Sequence, residues 1–278
     1  MPNGAQKKLP RDGEMVKRSD RMNVVRNLLT SDTVKKQFDL ALPKLLTSDR
    51  FLRIAMTEIQ RTPELLSCDQ HSLLGALMEC AQLGLEPGLL GQAWIIPYKR
   101  TATLIVGYKG LLNLARRSGE VSSISAHVVF KKDTFDFQLG DSPFIKHRPT
   151  AENDPGEVIA AYAVAMLKGG AKHMEVMWKR QIDKIRNQSP AGRSGPWVTH
   201  EEEMIRKTLI RRLCKFLPLS VEVMRAVDLD ERADVGIPQD VPFVELPADS
   251  HQEVQDVDPL DQAATELESE QEHAPVAS

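Results

Sequence analysis

Residues 92–119, QAWIIPYKRTATLIVGYKGLLNLARRSG, predict a β-hairpin that leads directly into a short helix. Three large side chains alternate along its first half, as residues on one face of a strand do: Trp94, Ile96 and Tyr98. β-branched residues continue through Val106, so the chain is expected to return as a second strand after a turn at Lys99 and Arg100. The hairpin therefore carries two positive charges at its tip.

The helix that follows separates charge from apolar surface. Its polar residues recur at i, i+4, i+7 and i+8, away from the leucines: Lys109, Asn113, Arg116 and Arg117. Basic groups beside aromatic rings suit single-stranded nucleic acid, whose phosphates require charge and whose unstacked bases require a flat apolar partner. A basic turn is also commonly a solvated edge that keeps strands of neighbouring molecules apart, and spacing alone favours this plainer interpretation.

Two longer segments closely resemble a known family. The first spans Leu73–Phe130, LLGALMECAQLGLEPGLLGQAWIIPYKRTATLIVGYKGLLNLARRSGEVSSISAHVVF. The second spans Gly195–Leu217, GPWVTHEEEMIRKTLIRRLCKFL, a tryptophan followed by a helix with the pattern K-T-x-x-R-R. Both are similar to the RecT family of phage recombination proteins, and with their spacing they cover most of residues 25–220. The resemblance implies an ATP-independent protein that binds single-stranded DNA, anneals complementary strands and assembles into rings or helical filaments.

Further expectations rest on the same resemblance. The setting is homologous recombination in a phage or prophage, with single-stranded DNA, the annealed duplex and other copies of the chain as partners. No cofactor is required, and Mg²⁺ is a candidate modulator of DNA binding. A partner exonuclease and a host single-strand-binding protein are candidate ligands of the C-terminal segment. The alternative function is a non-catalytic adaptor that recruits such a protein through that segment and binds DNA only incidentally.

Charge is distributed unevenly along the chain. The formal net charge of the 278 residues is −3, but residues 228–278 contain 15 acidic residues and a single arginine, Arg232. The preceding 227 residues contain 35 basic and 24 acidic residues. A basic body suits a polyanionic ligand, whereas the acidic tail is either a competing or docking appendage or merely a solubilising segment.

Cysteine content and hydropathy indicate a cytoplasmic protein. Cys68, Cys80 and Cys214 are far apart and odd in number, which favours free thiols in a reducing compartment. The N-terminal residues contain no apolar stretch of signal-peptide length, and 18 apolar residues nowhere follow one another. We therefore expect neither secretion nor a membrane partner.

The order of predicted elements indicates an α+β fold. Residues 1–22 are polar and basic, typical of a flexible basic arm. Residues 23–227 predict a DNA-binding and oligomerisation core, in which an N-terminal helical subdomain precedes an antiparallel β-sheet with packed helices. Ser31 and Ser67 are the expected N-caps of two of the helices. Residues 228–278 predict a disordered acidic tail, a candidate partner-docking segment.

The chain is predicted to be no enzyme, with neither a catalytic nor a metal site. It lacks a Gly-x-x-x-x-Gly-Lys-Ser/Thr phosphate loop. A two-metal nuclease would need converging carboxylates. Asp133, Asp136 and Asp141 stand instead in a turn and a strand where acidic residues are usually solvated. The histidines show no spacing typical of metal ligands.

The nucleic-acid contacts are therefore assigned to basic and aromatic residues. Binding that follows the phosphates requires several lysines and arginines. Trp197 and Tyr98 are the candidate stacking groups, whereas Trp94 and Trp178 lie on apolar strand faces and are expected in the core. The residues assigned to the nucleic acid are Tyr98, Lys99, Arg100, Lys109, Arg116, Arg117, Lys179, Arg180, Lys184, Arg193, Trp197, Lys207, Arg211 and Arg212.

Overall fold

Helices dominate the first part of the chain in the computed structural model, which describes residues 12–44 and 46–239. They are α1 (Asp12–Thr30), α2 (Asp32–Ala41), α3 (Ser48–Arg61), a short 3₁₀ helix (Pro63–Ser67) and α4 (Gln70–Gln82). Ser31 accepts a hydrogen bond from the N–H of Val34 and so caps α2 as predicted. The cap of α4 is Asp69 rather than the predicted Ser67, because the 3₁₀ turn occupies the preceding residues.

Strands and helices alternate through the rest of the described chain. The elements are β1 (Ala93–Tyr98), β2 (Thr101–Val106), α5 (Tyr108–Arg117), β3 (Val121–Phe130), β4 (Thr134–Gln138), β5 (Phe144–Arg148), β6 (Val158–Leu167), β7 (Lys172–Trp178), α6 (Lys179–Gln188), α7 (Pro196–Thr199), α8 (Glu201–Cys214) and α9 (Val221–Val235). N-terminal helices followed by antiparallel sheets with packed helices confirm the predicted α+β class.

The strands pair in three antiparallel groups. β1 pairs with β2 as the predicted hairpin, and β4 pairs with β5. A three-stranded sheet has the order β3-β6-β7, which confirms the prediction that Val158–Leu167 is a central strand. Bulges interrupt the β3–β6 register near both ends of β3, a feature that discourages further pairing at a sheet edge.

Two main hydrophobic cores hold these elements. The first contains buried side chains of α1 to α4, the inner face of the β1–β2 hairpin, α5 and α9. In the second, α8 places Ile205, Leu209 and Leu213 over the central strand of the three-stranded sheet. The fully buried residues that the strand contributes to this core are Ala161, Ala163 and Ala165. Because these side chains are small, α8 lies close to the sheet and covers one of its faces.

Two of the described helices run across the predicted domain boundaries. The predicted flexible arm, residues 1–22, overlaps α1, which is helical from Asp12. The predicted tail begins at residue 228, yet α9 continues to Val235, and its own residues Leu229, Asp230 and Ala233 are buried against the rest of the fold. Residues 1–11 and 240–278, which include most of the predicted tail, lie outside the described residues.

The three cysteines are free and buried, as predicted for unpaired thiols. Burial raises the pKa of the Cys214 thiol to about 12 and raises that of Cys80 further, so both thiols stay protonated at neutral pH. Within the described residues, no helix combines the length and the hydropathy that crossing a membrane requires.

Asp133 fastens the β4–β5 hairpin to its surroundings. Its carboxylate accepts hydrogen bonds from the N–H of Phe130 at 2.8 Å, from the N–H of Thr150 at 2.9 Å and from His147 Nε2 at 3.0 Å. His147 Nδ1 lies 3.3 Å from the hydroxyl of Tyr162 on β6. Burial raises the pKa of Asp133, but the backbone donors and His147 outweigh it, so the net pKa lies below its usual value.

We expect Asp133→Asn to lower the free energy of unfolding at pH 7 by about 1–3 kcal/mol, because three donors lose their charged acceptor. The pKa of Asp133 is depressed in the folded chain. Its contribution is therefore present above the unfolded pKa of about 4 and is lost as the pH falls through the folded value. Urea unfolding at pH 7 and near pH 3 should show the gap between variant and wild type shrinking at low pH. A gap of equal size at both pH values would contradict this assignment.

Candidate nucleic-acid interface

The β1–β2 hairpin exposes one face to solvent. Trp94, Ile96 and Tyr98 of β1 are 40%, 37% and 41% exposed, whereas Ala93 and Ile95 between them are buried. The predicted alternation is therefore confirmed. The expectation that Trp94 belongs to the core is wrong, because the other face of this strand is the one that packs on the helices. The result is an exposed apolar and aromatic strip that runs toward the basic turn.

Trp94 is seated on glycines. A Cβ atom built at Gly107 would lie 2.6 Å from Cζ3 of Trp94 and 2.2 Å from the carbonyl oxygen of Gly91. No side chain fits there, so the indole lies directly against backbone at this point. The absence of a Cβ at Gly107 thus fixes how close the ring can approach, and a seated ring with an exposed side is a preorganised stacking surface.

Lys109 stands beside this ring. A Cβ built at Gly91 would lie 3.4 Å from Cδ of Lys109 and 3.5 Å from Cζ2 of Trp94, so both side chains pass over the same glycine. The start of α5 is docked there, because the N–H of Gly107 donates to the carbonyl of Gln92 at 2.9 Å. This docking places the exposed Lys109 next to the aromatic strip.

Lys99 holds a backbone conformation that favours glycine. Its φ is 56°, and it is the one non-glycine residue with positive φ among those that the structure describes. A left-handed residue with a Cβ costs roughly 1 kcal/mol, and glycine would fit such a turn more easily. The tip therefore carries a lysine at a cost in stability, which indicates a use for its side chain.

The outer edge of β2 is occupied by side chains from elsewhere in the fold. The N–H of Ala102 donates to Oγ of Ser72 at 3.0 Å. The side-chain amide of Gln239 bonds both the N–H and the carbonyl of Leu104, at 3.0 Å and 2.7 Å. Because this edge is already filled, the charges at the turn are not needed to prevent pairing there, which weakens the solvated-edge interpretation. We call Trp94, Ile96, Tyr98, Lys99 and Lys109 the hairpin face.

The remaining predicted residues of this region differ in their surroundings. Arg100 and Arg116 are exposed at the tip of the hairpin and on the last turn of α5. Arg117 donates to the carbonyl oxygens of Leu83 and Gly84, where it satisfies the C-terminal end of α4. Arg117 therefore has a structural role in addition to its exposure.

The predicted residues of α6 and the following loop lie on the second core, apart from the hairpin. Lys179 pairs with Asp183 and lies 3.7 Å from Glu201. Arg180, Lys184 and Arg193 are exposed and pair with no carboxylate in the described part of the chain. These three cations are available to an external anion.

Three predicted contacts on and before α8 are buried, which contradicts their assignment to the nucleic acid. Trp197 is 1% exposed and packs in the second core. Lys207 and Arg211 are 6% and 5% exposed. The physical reason is α9, which covers the α8 face that carries both cations and supplies an acidic partner there, Asp230.

Asp230 binds both of these cations. Its carboxylate lies 2.7 Å from Nζ of Lys207 and 2.8 Å from Nη1 of Arg211, and Arg211 also pairs with Asp234. Burial lowers the pKa of Arg211, but the two carboxylates outweigh it and raise the net pKa. We call Lys207, Arg211, Asp230 and Asp234 the ion cluster. The neighbouring Arg212 is half-buried and pairs with Glu175 of β7 at 2.7 Å.

Sequence reasoning missed two exposed tryptophans. Trp94 shares the alternation of Tyr98, so the signal was present in the strand pattern itself. Trp178, 44% exposed, ends β7 immediately before the basic start of α6.

A metal-dependent nuclease would need several metal ligands close together. Within residues 12–44 and 46–239, no three His, Cys, Asp or Glu side chains are placed to hold a metal ion.

Known proteins are similar to this chain over most of its length. Protein RecT of Escherichia coli is 46% identical over 231 residues, which cover 80% of this chain and 84% of that protein. The uncharacterized protein YqaK of Bacillus subtilis is 30% identical over 258 residues, 90% of this chain and 85% of that protein. The profile of the RecT family matches residues 49–242, a range that includes the hairpin face and the ion cluster. The chain therefore belongs to the RecT family and is a single-stranded DNA annealing protein of recombination.

Proposed function

We propose that the hairpin face is where this annealing protein holds a DNA strand. The observation that carries the proposal is the exposed Trp94 ring, seated on backbone at Gly107 with Lys109 beside it. Stacking on an aromatic ring uses the flat side of a base and tolerates any sequence. Lys99 and Lys109 then supply the positive charge that the phosphates require.

This arrangement suits annealing because it leaves the pairing edges of the bases open. A strand held by its phosphates and by ring stacking still presents its hydrogen-bonding edges to a complementary strand. Neutralised phosphates repel the incoming strand less, and base pairing then provides the free energy. No bond is made or broken, so the proposal requires neither a catalytic group nor ATP.

The protein acts as a row of copies in this proposal. A single hairpin face contacts only a few nucleotides, whereas successive copies on one strand turn weak contacts into a long, cooperative track. Self-assembly on DNA therefore belongs to the proposed function, with the annealed duplex as its product and Mg²⁺ as a modulator of phosphate repulsion. A partner exonuclease and a host single-strand-binding protein remain proposed partners of residues 240–278.

The test is annealing of two complementary labelled oligonucleotides by the full chain, without ATP, over a range of salt concentrations. Trp94→Ala should slow annealing about tenfold, because one stacking ring contributes roughly 1–3 kcal/mol per base. Trp94→Phe keeps a ring and should stay within about threefold of wild type. Leu40→Ala, which trims an exposed apolar side chain on α2, is the matched control.

Two results would contradict the proposal. One is equal annealing by Trp94→Ala and wild type at every salt concentration. The other is no acceleration by wild type over protein-free strands at low salt, where phosphate binding should be strongest.

A further inference from the structure

The three-stranded sheet has a second face that α8 does not cover. Residues of β6 alternate, so Ala161, Ala163 and Ala165 meet α8 while Tyr162 points to the opposite side. Tyr162 is opposite His127 of β3 and Val176 of β7 in the strand register. The β4–β5 hairpin folds over part of this side through Phe135 and Ile145. The rest of it is open.

A continuous row of rings runs across this side of the sheet, from β3 through β6 and the covering β4 strand to the end of β7. Ring centroids are 5.3 Å apart for His127 and Tyr162, and 5.7 Å for Tyr162 and Phe135. The row continues at 5.4 Å from Phe135 to Phe137 and at 5.8 Å from Phe137 to Trp178. We call these five residues the ring face.

Both ends of the ring face are exposed, and its middle is fixed. Trp178 is 44% exposed and His127 is also exposed, whereas Tyr162 between them is 9% exposed. The Tyr162 hydroxyl is held by His147, which in turn bonds the buried Asp133. Because the rings are already fixed, they lose little conformational entropy when a flat ligand stacks against the exposed ends of the row.

The two faces of the three-stranded sheet differ in charge. On β7, Glu175 points toward α8 and pairs with Arg212, whereas Lys172 and Trp178 alternate onto the side of the ring face. Residues of β3 and β6 on that side are neutral or histidine, so none of the three strands contributes a carboxylate to it. The exposed Arg180 and Lys184 follow Trp178 on α6. A polyanion with flat groups is complementary to such a surface.

We propose that the ring face is a second site for single-stranded DNA, distinct from the hairpin face. It rests on the proposed function, since it binds the same kind of polymer, and it serves the second strand of the annealing pair. The two sites belong to different layers of the fold, one on the first core and one on the sheet of the second core. Each strand is thereby neutralised by its own cations before the two meet. Trp178 stacks a base, Arg180 and Lys184 hold the flanking phosphates, and Lys172 at the other end of β7 holds a phosphate further along the strand.

The experiment uses the three tryptophans as separate reporters. Trp197 is buried and gives a constant background. In full-length Trp94→Phe the responsive emitter is Trp178, and in Trp178→Phe it is Trp94. Oligo(dT) is titrated into each variant at low salt and again at high salt. The proposal requires that the fluorescence of Trp178 is quenched by oligo(dT), and that this quenching is lost at high salt.

A binding series completes the test. Trp178→Ala should weaken capture of a second, complementary oligonucleotide by protein already loaded with a first strand, by about tenfold, whereas Trp178→Phe should largely retain it. Thermal unfolding of each variant confirms that the sheet is intact. Sedimentation of the DNA-free variants measures whether the ring face is instead an interface between copies of the chain.

The outcomes separate this inference from the proposed function. If Trp94 is quenched and Trp178 is not, the ring face is no DNA site and the hairpin face stands. If neither is quenched, both proposals fall. If Trp178→Ala shifts the sedimentation coefficient and leaves second-strand capture unchanged, the surface binds another copy and the inference is overturned.

Discussion

Asp230→Ala is expected to lower the free energy of unfolding by about 3–5 kcal/mol, because it leaves two buried cations without their shared partner. Asp230 is 0% exposed, and its carboxylate contacts both Lys207 and Arg211. In the variant, Arg211 keeps its second partner, Asp234. Lys207 loses its partner, because in the described part of the chain it forms an ion pair with Asp230 and not with Asp234. Removal of one member of a buried network lowers stability because the remaining charges stay buried without a partner. Removal of the whole network leaves no such unpaired charge.

Urea unfolding followed by circular dichroism measures this effect. The matched control is Asp228→Ala on the same helix, since Asp228 is exposed and pairs with Arg232 only at i,i+4. That change should alter stability by less than about 0.5 kcal/mol. If Asp230→Ala and the control had the same free energy of unfolding, the ion cluster would not be what holds α9 on α8.

The ion cluster also changes how variants of α8 are interpreted. Loss of annealing in Lys207→Ala or Arg211→Ala would report damage to the α8–α9 contact, because neither side chain reaches solvent. A truncation designed to remove the acidic tail should likewise end after Gln239. A cut at residue 228 would delete the buried Leu229 and Asp230, together with the Gln239 side chain that fills the β2 edge.

The largest effect on DNA binding is expected from Lys99→Ala/Lys109→Ala. Both lysines are exposed on the hairpin face and pair with no carboxylate among the described residues. Loss of two phosphate contacts should weaken single-stranded DNA binding by about 100-fold at low salt. It should also flatten the slope of log K against log salt by about 1.4, since each contact with a single strand contributes about 0.7.

Fluorescence anisotropy with a labelled oligo(dT) over a salt series measures both quantities. Lys36→Ala/Lys44→Ala removes the same charge from exposed positions in and after α2, and it should change affinity only slightly. If the hairpin variant and this control show the same slope, net charge rather than the hairpin face governs binding, and the assignment of Lys99 and Lys109 is wrong.

Much of the hairpin and its helix could be predicted from the residues alone. The period of two along β1 and the apolar spacing of Leu111, Leu114 and Ala115 are local patterns, and the structure confirms both. The exposure of Lys99, Lys109 and Arg116 follows from the same patterns. Local patterns succeed here because each element buries one face, and the opposite polar face must then meet solvent.

Other parts could not be predicted because they depend on contacts between distant segments. The spacing of Lys207 and Arg211 shows that they share a face of α8, but not that an acidic helix about 20 residues later covers it. Alternation along β6 likewise shows that Tyr162 and the alanines beside it lie on opposite sides of the strand, but not which of the two sides α8 covers.

The sequence by itself determined the element types, the strip of Trp94, Ile96 and Tyr98, the positive charge beside it and the family of the chain. Only the tertiary structure decided which cations stay exposed to solvent and which are buried and paired in the ion cluster. The physical reason is that a side chain is buried only when a second surface packs against the one that carries it. A side-chain pattern describes one surface, and the partner that covers it comes from another part of the chain.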